Sequence, residues 1–283
     1  MIELISVSKE INDKYLLKDI NLKIRKGDKI GIVGPIGSGK TTLLRVILDI
    51  YNVTKGEVNI KNIESKDIGF MPSNKGLYGE LTVLENIELC TSLNLFNTKE
   101  LLELSKKIEI IEYLNKKVKY TSRGIQQKVA LLIALSNNPK LVVLDEPISN
   151  LDMEARISII NFLTEYVKDR TLIITSDNLN DIQELCDKVV FIKEGKINID
   201  DFIYNIIDEF SNGEIEIYFL RPLNNSIKEI LKKEFINIEI SFNSIKFNKR
   251  DIELNFILKR ILELNLDILE IRRDSIKESK INN

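Results

Sequence analysis

The chain has 283 residues, of which 43% are hydrophobic and 30% charged, a composition that describes a globular protein with a sizeable core. Its net charge of −2 gives no electrostatic basis for binding nucleic acid, and no apolar run approaches the roughly 20 residues that span a bilayer. The sequence lacks histidine, which excludes imidazole chemistry, and its two cysteines, Cys90 and Cys186, lack metal-type spacing and are expected to be reduced, buried and inert.

Short β-type runs occupy the first part of the chain. Residues 2–7, 20–24 and 29–33 are rich in Ile, Leu and Val, and turn signals stand at Asn12-Asp13 and Lys26-Gly27-Asp28. The third run leads directly into a glycine-rich segment, Gly34-Pro35-Ile36-Gly37-Ser38-Gly39-Lys40-Thr41.

This segment has the order strand, glycine-rich turn, helix that a phosphate-binding loop requires. Glycines let successive backbone N–H groups point inward as an anion nest, and the following helix adds its positive N-terminal end. Lys40 is expected to reach the β- and γ-phosphates, and the Thr41 hydroxyl to ligate Mg²⁺. The alternative is a glycine-bearing turn that fits the pattern by accident.

The stretch from residue 54 to residue 136 changes from β-type to helical. Residues 54–60 read as a turn that enters a strand, and residues 68–71 as a strand that Pro72 ends. Thr82 and Glu85 form a predicted capping box. Apolar residues between 101 and 114 fall mostly at helical spacings, and residues 129–135 are apolar enough to pack into the core.

Two runs without alternation follow, at residues 141–144 and 171–175, as expected for parallel strands covered on both faces. The first ends in Asp145-Glu146, and the second leads into Ser176-Asp177. Residues 189–192 and 196–199 read as a hairpin. Beyond about residue 212 the predicted order becomes β-α-β-β-α-β, that of the ferredoxin-like split unit, ending in a polar tail at 275–283.

The phosphate loop, the Asp145-Glu146 pair at a strand end, and Ser149-Asn150-Leu151-Asp152 after it together resemble the ATP-binding cassette (ABC) family, over residues 2 to 200. The resemblance implies an α/β fold with a P-loop NTPase (RecA-like) core, an antiparallel β subdomain and a helical insertion at about 76–136. We expect a nucleotide-binding domain at 1–212 and a small α+β ferredoxin-like domain at 213–283.

The resemblance also implies roles for individual residues. The nucleotide-binding set is Gly34, Pro35, Gly37, Ser38, Gly39, Lys40, Thr41 and Thr42. Asp145 matches the acidic partner of Mg²⁺, and Glu146 the general base that polarises the attacking water. Asn150, Leu151 and Asp152 match a loop that crosses the interface between two cassettes, which pair head to tail. Each ATP then lies between the phosphate loop of one cassette and the signature loop of the other.

Several positions depart from the family pattern. The signature usually written LSGGQ stands here as Thr121-Ser122-Arg123-Gly124-Ile125, so that Ser122 and Gly124 remain, Arg123 replaces a glycine and Ile125 replaces a glutamine. Ser73 stands where a glutamine is expected, and Asp177 where a histidine is expected. The aromatic residue that stacks on adenine aligns with Ile11, and Tyr15 lies four places later.

Asp177 is the departure with the largest expected effect. A carboxylate about 4 Å from a phosphate charge costs roughly 4 kcal/mol at an effective dielectric constant near 20, which approaches a thousandfold in affinity. Three explanations stay open: Asp177 turns away, Mg²⁺ or a basic group neutralises it, or the site handles ATP poorly. A fourth is that another group fills the role of the missing histidine.

The resemblance therefore implies the ATP-binding subunit of an ABC transporter, an ATPase that uses ATP and Mg²⁺, and the departures from the pattern imply a reduced rate. Its expected partners are separate transmembrane subunits and a second cassette, identical or different, with no nucleic acid. The expected location is the cytoplasmic face of the membrane. The C-terminal module resembles one found on exporter-type cassettes for drugs, peptides and bacteriocins, which favours export. The alternative is a largely non-hydrolysing, nucleotide-gated subunit of a heterodimeric cassette pair.

Overall fold

The computed structural model describes residues 1–91, 98–203, 205, 213–235, 237–248 and 251–273. Contacts between Cα atoms divide the chain into two compact units, Met1–Ile203 and Tyr204–Asn283. In chain order, the strands of the first unit are β1 (Ile2–Ile11), β2 (Lys14–Ile24), β3 (Lys29–Val33), β4 (Lys55–Ile60), β5 (Ile68–Met71), β6 (Leu141–Asp145), β7 (Thr171–Ser176), β8 (Lys188–Lys193) and β9 (Lys196–Phe202).

A six-stranded sheet with the order β5-β6-β7-β3-β8-β9 carries the candidate site. Its first five strands run parallel, and β9 pairs antiparallel with β8, which confirms the predicted hairpin. Every residue of β6 and of β7 is buried, as expected for parallel strands covered on both faces. The carboxyl ends of β3, β6 and β7 meet at one edge of the sheet, where ligands bind in such folds.

A second, antiparallel sheet with the order β2-β1-β4 forms the expected β subdomain. β1 and β2 stay paired up to their connecting turn, where Ile11 lies opposite Lys14. Asn12 and Asp13 form that turn with φ values of 50° and 58°, a left-handed conformation that these two residue types tolerate. Because pairing continues to the turn, both strands are longer than the sequence runs predicted.

The helices of the first unit are α1 (Lys40–Ile47), α2 (Val83–Thr91), α3 (Thr98–Lys107), α4 (Arg123–Leu135) and α5 (Met153–Tyr166). The capping box at the start of α2 is confirmed, since the Thr82 N–H donates to Glu85 Oε2 at 2.7 Å and the Glu85 N–H to Thr82 Oγ1 at 3.1 Å. The apolar run in α4 is buried as predicted, apart from the half-buried Ile133.

The helical pattern predicted to continue through Leu114 was wrong in its extent. α3 ends at Lys107, and Glu109 has a φ of 62°, which no α-helix accommodates. Ile111 therefore begins a separate 3₁₀ turn, Ile111–Tyr113. The expectation that both cysteines are buried was also wrong, because Cys90 is exposed; Cys186 is buried, and burial raises the pKa of its thiol.

One hydrophobic core joins the two sheets to α1. Its members include Leu43, Leu44 and Ile47 of α1, which pack with apolar residues of both sheets. The helix that follows the phosphate loop is thereby fixed to the sheet from which the loop leaves. This packing makes the loop a rigid part of the unit rather than a free turn.

The second unit has its own elements: β10 (Glu214–Phe219), α6 (Asn225–Glu234), β11 (Glu239–Ile240), β12 (Ser244–Asn248), α7 (Leu254–Glu263) and β13 (Ile268–Arg273). The chain order is the predicted β-α-β-β-α-β, and the sheet order β11-β12-β10-β13 is antiparallel throughout. Ile217 of β10 packs in a separate core with Leu231 and Ile257 of the two helices. The expected boundary near residue 212, Ile236 and the tail at 275–283 lie outside the described residues.

Candidate nucleotide-binding site

The phosphate loop, residues 34–41, connects β3 to α1 in a conformation that its glycines permit. Gly37 and Gly39 have φ values of 80° and 112°, which disfavour any residue with a side chain. Gly34 is required for a different reason, because a Cβ atom there would lie 2.1 Å from the Ile192 carbonyl oxygen. The loop is thus both curled and pressed against β8.

The turn between β8 and β9 supports the phosphate loop from behind. The Gly195 N–H donates to the Ser38 carbonyl at 2.9 Å, and the Gly195 carbonyl accepts from the Lys18 N–H at 2.7 Å. Gly195 has a φ of 76°, and a Cβ atom there would meet the Leu16 carbonyl oxygen at 2.6 Å. Sequence reasoning missed this contact, whose one signal was the Glu194-Gly195 turn between two apolar runs.

The phosphate loop and the start of α1 contain donors without a partner side chain. α1 starts after Gly39, which provides no side-chain cap, so the first amide N–H groups of the helix, including those of Thr41 and Thr42, lack a capping side chain. Ser38 is 4% exposed, and its hydroxyl has no hydrogen-bond partner within the described residues. Buried donors of this kind need an acceptor, and a phosphate group at a helix N-terminus supplies one.

Lys40 is held inside the loop by backbone oxygens. Its ammonium donates to the Gly34 carbonyl at 2.7 Å and to the Pro35 carbonyl at 3.3 Å, and its side chain is 5% exposed. Glu146 Oε1 lies 3.5 Å from the same Nζ atom. The ammonium is therefore already placed between the loop and the carboxylate that the sequence predicts as the general base.

Asp145 is placed by two threonine hydroxyls. Thr41 Oγ1 donates to Asp145 Oδ2 at 2.8 Å, and Thr175 Oγ1 donates to Asp145 Oδ1 at 2.7 Å. Asp145 is 1% exposed and Thr175 is fully buried. A hydroxyl and a carboxylate oxygen side by side beside a phosphate loop are the protein ligands that Mg²⁺ takes together with substrate phosphates.

Glu146 adopts a strained backbone conformation that its neighbours maintain. Its φ is 51°, a left-handed value that is uncommon for glutamate. The Glu146 N–H donates to Thr175 Oγ1 at 2.9 Å, and the Gln127 side chain of α4 donates to the Glu146 carbonyl at 3.4 Å. The carboxylate side chain remains 30% exposed, so water can reach it.

The signature loop, residues 121–125, begins α4. Ser122 is the N-cap and accepts from the Ile125 N–H at 3.3 Å, whereas the Arg123 side chain is exposed. Gly124 packs so closely on α5 that a Cβ atom there would lie 2.8 Å from Ala155 Cβ. Asp152 caps α5 by accepting from the Ala155 N–H at 2.8 Å. The predicted signature and interface loops thus share one packed corner.

The remaining predicted residues lie around this arrangement. Ser73 is exposed after β5, and Asp177 is exposed after β7. Ile11 and Tyr15 are both exposed near the turn between β1 and β2. Tyr15 directly precedes Leu16, whose carbonyl faces Gly39, so that Tyr15 is the nearer of the two to the phosphate loop along the strand.

Known proteins resemble this chain in sequence. The ABC transporter family matches residues 17–149. The methionine import ATP-binding protein MetN of Clostridium acetobutylicum is 30% identical over 317 aligned residues, covering the whole of this chain and 93% of that protein. The ABC transporter ATP-binding protein YtrB of Bacillus subtilis is 30% identical and covers 81% of this chain and 80% of that protein. The chain belongs to the ATP-binding subunits of ABC transporters.

Solved cassettes agree with this membership. The dimeric ATP-binding cassette MJ0796 of Methanocaldococcus jannaschii, bound to ADP and Pi, superposes with a TM-score of 0.65 at 30% identity, covering 72% of this chain and 99% of that chain. As an ABC cassette, the chain is an ATPase that uses Mg²⁺ and works with a second cassette and transmembrane subunits. Among the described residues, no helix is long and apolar enough to cross a membrane.

The site residues of the cassette fit Mg-ATP. Phosphates would take the free donors of the loop and of Ser38, and Mg²⁺ would take the Thr41 hydroxyl and the Asp145 carboxylate. No cluster of three or more acidic or thiol ligands occurs in the part of the chain that the structure describes. A cation at this site would therefore depend on the phosphates for further oxygen ligands.

Thr175 is the residue of the site that sequence reasoning missed. It lies directly opposite Asp145 in the parallel pairing of β6 with β7. The signal available was a threonine near the end of β7, after three aliphatic residues; β7 is the strand that follows β6 in the chain. Thr175 can be recognised as part of the site only when the register between β6 and β7 is known.

Proposed function

We propose that this cassette binds Mg-ATP at the phosphate loop and hydrolyses it slowly, driving export through separate transmembrane subunits at the cytoplasmic face of the membrane. The convergence of Lys40, Thr41, Asp145 and Glu146 at one edge of the parallel sheet carries the proposal. These side chains provide a cation for the phosphates, two oxygen ligands for the metal and a carboxylate for the attacking water.

Each residue contributes one step. Thr41 and Asp145 would hold Mg²⁺, which would supply neutralisation of the phosphate charge. Lys40 binds the phosphates. Its ammonium, which lies 3.5 Å from Glu146 Oε1 in this structure, then interacts with the phosphates as well as with the Glu146 carboxylate. The Glu146 carboxylate then orients a water molecule and accepts its proton. Thr175 and Gln127 hold the Glu146 backbone while it does so.

Loss of ATP binding in a Lys40→Ala variant tests the site. The substitution removes the one formal positive charge that the loop supplies, and we expect ATP affinity measured by calorimetry to fall below detection. Lys55→Ala, at an exposed lysine of β4, is the matched control and should bind as the parent chain does. Unchanged ATP affinity in Lys40→Ala would contradict the assignment.

Slow hydrolysis follows from two substitutions. Ser73 is too short to reach metal and water as the family's glutamine does, and Asp177 cannot donate to the γ-phosphate when it is ionised. Loss of one preorganised donor slows an enzyme by about 10²–10³-fold. Ser73→Gln is expected to raise kcat in the assembled transporter, and the gain should vanish when Glu146→Gln is added, because a restored contact cannot act without the base.

Export is proposed from the C-terminal unit, which resembles a module found on exporter-type cassettes. The groove near Ser73 to Glu80 is proposed to receive cytoplasmic helices of the membrane subunits. A cavity of about 360 Å³ lies there, lined in part by Ser73, Leu77 and Val118. Transport measured in vesicles of both orientations, with the natural membrane subunits, determines the direction; ATP-driven uptake from the outer side would contradict export.

A second candidate function is a nucleotide-gated subunit that barely hydrolyses ATP and pairs with an intact cassette. The changes at Ser73, Arg123, Ile125 and Asp177 favour it, whereas Glu146 favours hydrolysis. Turnover by the chain alone, with Glu146→Gln as the blank, distinguishes the two. Turnover equal to that of the blank would support the second candidate.

A further inference from the structure

Arg123 is a cation in unfavourable surroundings within its own chain. It is the first residue of α4, where the positive end of the helix disfavours a positive charge. Its side chain is exposed and has no acidic partner within the described residues. Lys75 lies near enough that, after burial, the charge of Arg123 helps to lower the pKa of the Lys75 ammonium.

Asp177 is an exposed carboxylate beside the phosphate loop. It follows Ser176, which pairs in register with Val33, the residue before the phosphate loop, so that Asp177 leaves the sheet beside the loop. It is exposed, and in the described part of the chain it forms no ion pair. Asp181 nearby already pairs with Arg156, and the charge of Asp177 helps to raise the pKa of the Asp181 carboxyl, although burial is the larger cause.

We propose that Asp177 forms an ion pair with Arg123 of a second copy of this chain, across each nucleotide site. The inference rests on the proposed function as an ATP-binding cassette and on the head-to-tail pairing that the family resemblance implies, which brings the signature loop of one cassette to the phosphate loop of the other. Arg123 then approaches the γ-phosphate and the neighbouring Asp177 together. The guanidinium neutralises Asp177 and offers a donor to the phosphate from the partner's side.

This pairing requires a partner that carries both residues, as a second copy of this chain does. A partner with glycine at the position of Arg123 would leave Asp177 as an uncompensated anion beside the phosphates. A partner with histidine at the position of Asp177 would leave Arg123 without a carboxylate. Only a chain that carries both residues satisfies both charges at two equivalent sites.

Charge reversal in separate chains tests the inference. Two variants are made in a Glu146→Gln background, so that ATP is not consumed: one chain carries Asp177→Arg and the other Arg123→Asp. Each alone places like charges at both sites, and we expect its Mg-ATP-dependent dimerisation, measured by sedimentation, to weaken at least tenfold. Mixing the two restores opposite charges at both sites, so the mixture should form a heterodimer as stable as the parent dimer.

A matched pair of reversals at exposed residues of β4, Lys55→Asp and Glu57→Arg, should leave dimerisation unchanged, alone or mixed.

Arg123→Ala and Asp177→Ala give a second measurement. Because both substitutions remove the same contact, the double variant should weaken dimerisation no more than the stronger single variant.

Three outcomes would overturn the inference: a mixture that dimerises no better than its components, reversed chains that dimerise like the parent, or fully additive effects of the alanine variants. A parent chain that binds Mg-ATP but fails to dimerise also refutes the identical partner and leaves ATP binding intact. Failure to bind Mg-ATP at all would instead refute the proposed function.

Discussion

The Thr175 hydroxyl donates to Asp145 Oδ1 at 2.7 Å and accepts from the Glu146 N–H at 2.9 Å, so one side chain fixes both the proposed metal-binding carboxylate and the backbone of the proposed base. Thr175→Val keeps the shape and removes both contacts. We expect a loss of about 10- to 100-fold in Mg²⁺-dependent ATPase activity and about 1–3 kcal/mol of stability from the unpaired buried groups. Turnover against Mg²⁺ concentration and thermal unfolding measure the two effects.

Thr171 at the start of the same strand provides the control for Thr175. Its hydroxyl accepts from the Gly27 N–H at 2.9 Å, far along the strand from Asp145. Thr171→Val should lower stability by a similar amount without shifting the Mg²⁺ dependence. Equal Mg²⁺ curves for Thr175→Val and Thr171→Val would show that Thr175 serves stability alone.

The Glu109–Lys128 pair should make stability depend on pH in acid. Lys128 Nζ donates to Glu109 Oε2 at 2.7 Å, and Ser158 Oγ donates to the same oxygen at 2.8 Å. The hydrogen bond from Lys128, then that from Ser158, lowers the pKa of Glu109 below its usual 4.5. The stabilisation is therefore fully present above the usual pKa and is lost as pH falls through the lowered one.

Glu109→Gln tests that pair. Because Glu109 is 67% exposed, we expect a loss of only about 1 kcal/mol in the free energy of unfolding near neutral pH. The difference from the parent chain should shrink as pH falls below about 4.5. A difference that stays constant in denaturant titrations down to pH 3 would exclude the ion pair as its source.

Gly124 should be sensitive to one added methyl group. A Cβ atom there would lie 2.8 Å from Ala155 Cβ, so Gly124→Ala must push α4 away from α5. Alanine favours a helix by about 1 kcal/mol over glycine, whereas overpacking costs about 1–3 kcal/mol. We expect weaker ATP-dependent pairing with unchanged ATP binding by the single chain. Adding Ala155→Gly should restore pairing; no restoration would locate the defect elsewhere.

The two units should be separable for nucleotide binding. The first unit contains every residue of the phosphate loop and its supporting turn, and each unit has its own hydrophobic core. A chain shortened to residue 212 is expected to remain folded and to bind ATP with unchanged affinity. Aggregation of the shortened chain, or loss of binding, would show that the units depend on each other.

Local patterns in the sequence were enough to predict the phosphate loop, the parallel strands and the capping box. Each of these depends on neighbours a few residues apart, such as Thr82 and Glu85. The end of α3 could not be predicted in this way, because the left-handed Glu109 is held by Lys128 and Ser158 of other helices. Thr175 was likewise hidden, since its role depends on strand register rather than on its own segment.

The hydrogen bond from the Gly195 N–H to the Ser38 carbonyl has a consequence for the protein while it is being made. β3 lies between β7 and β8, both of which leave the ribosome long after it. The phosphate loop gains this hydrogen bond only when the turn at residue 195 has been synthesised. We expect nascent chains that stop before this turn to have the whole glycine motif but to bind ATP more weakly, so that ATP affinity distinguishes a finished domain from an interrupted one.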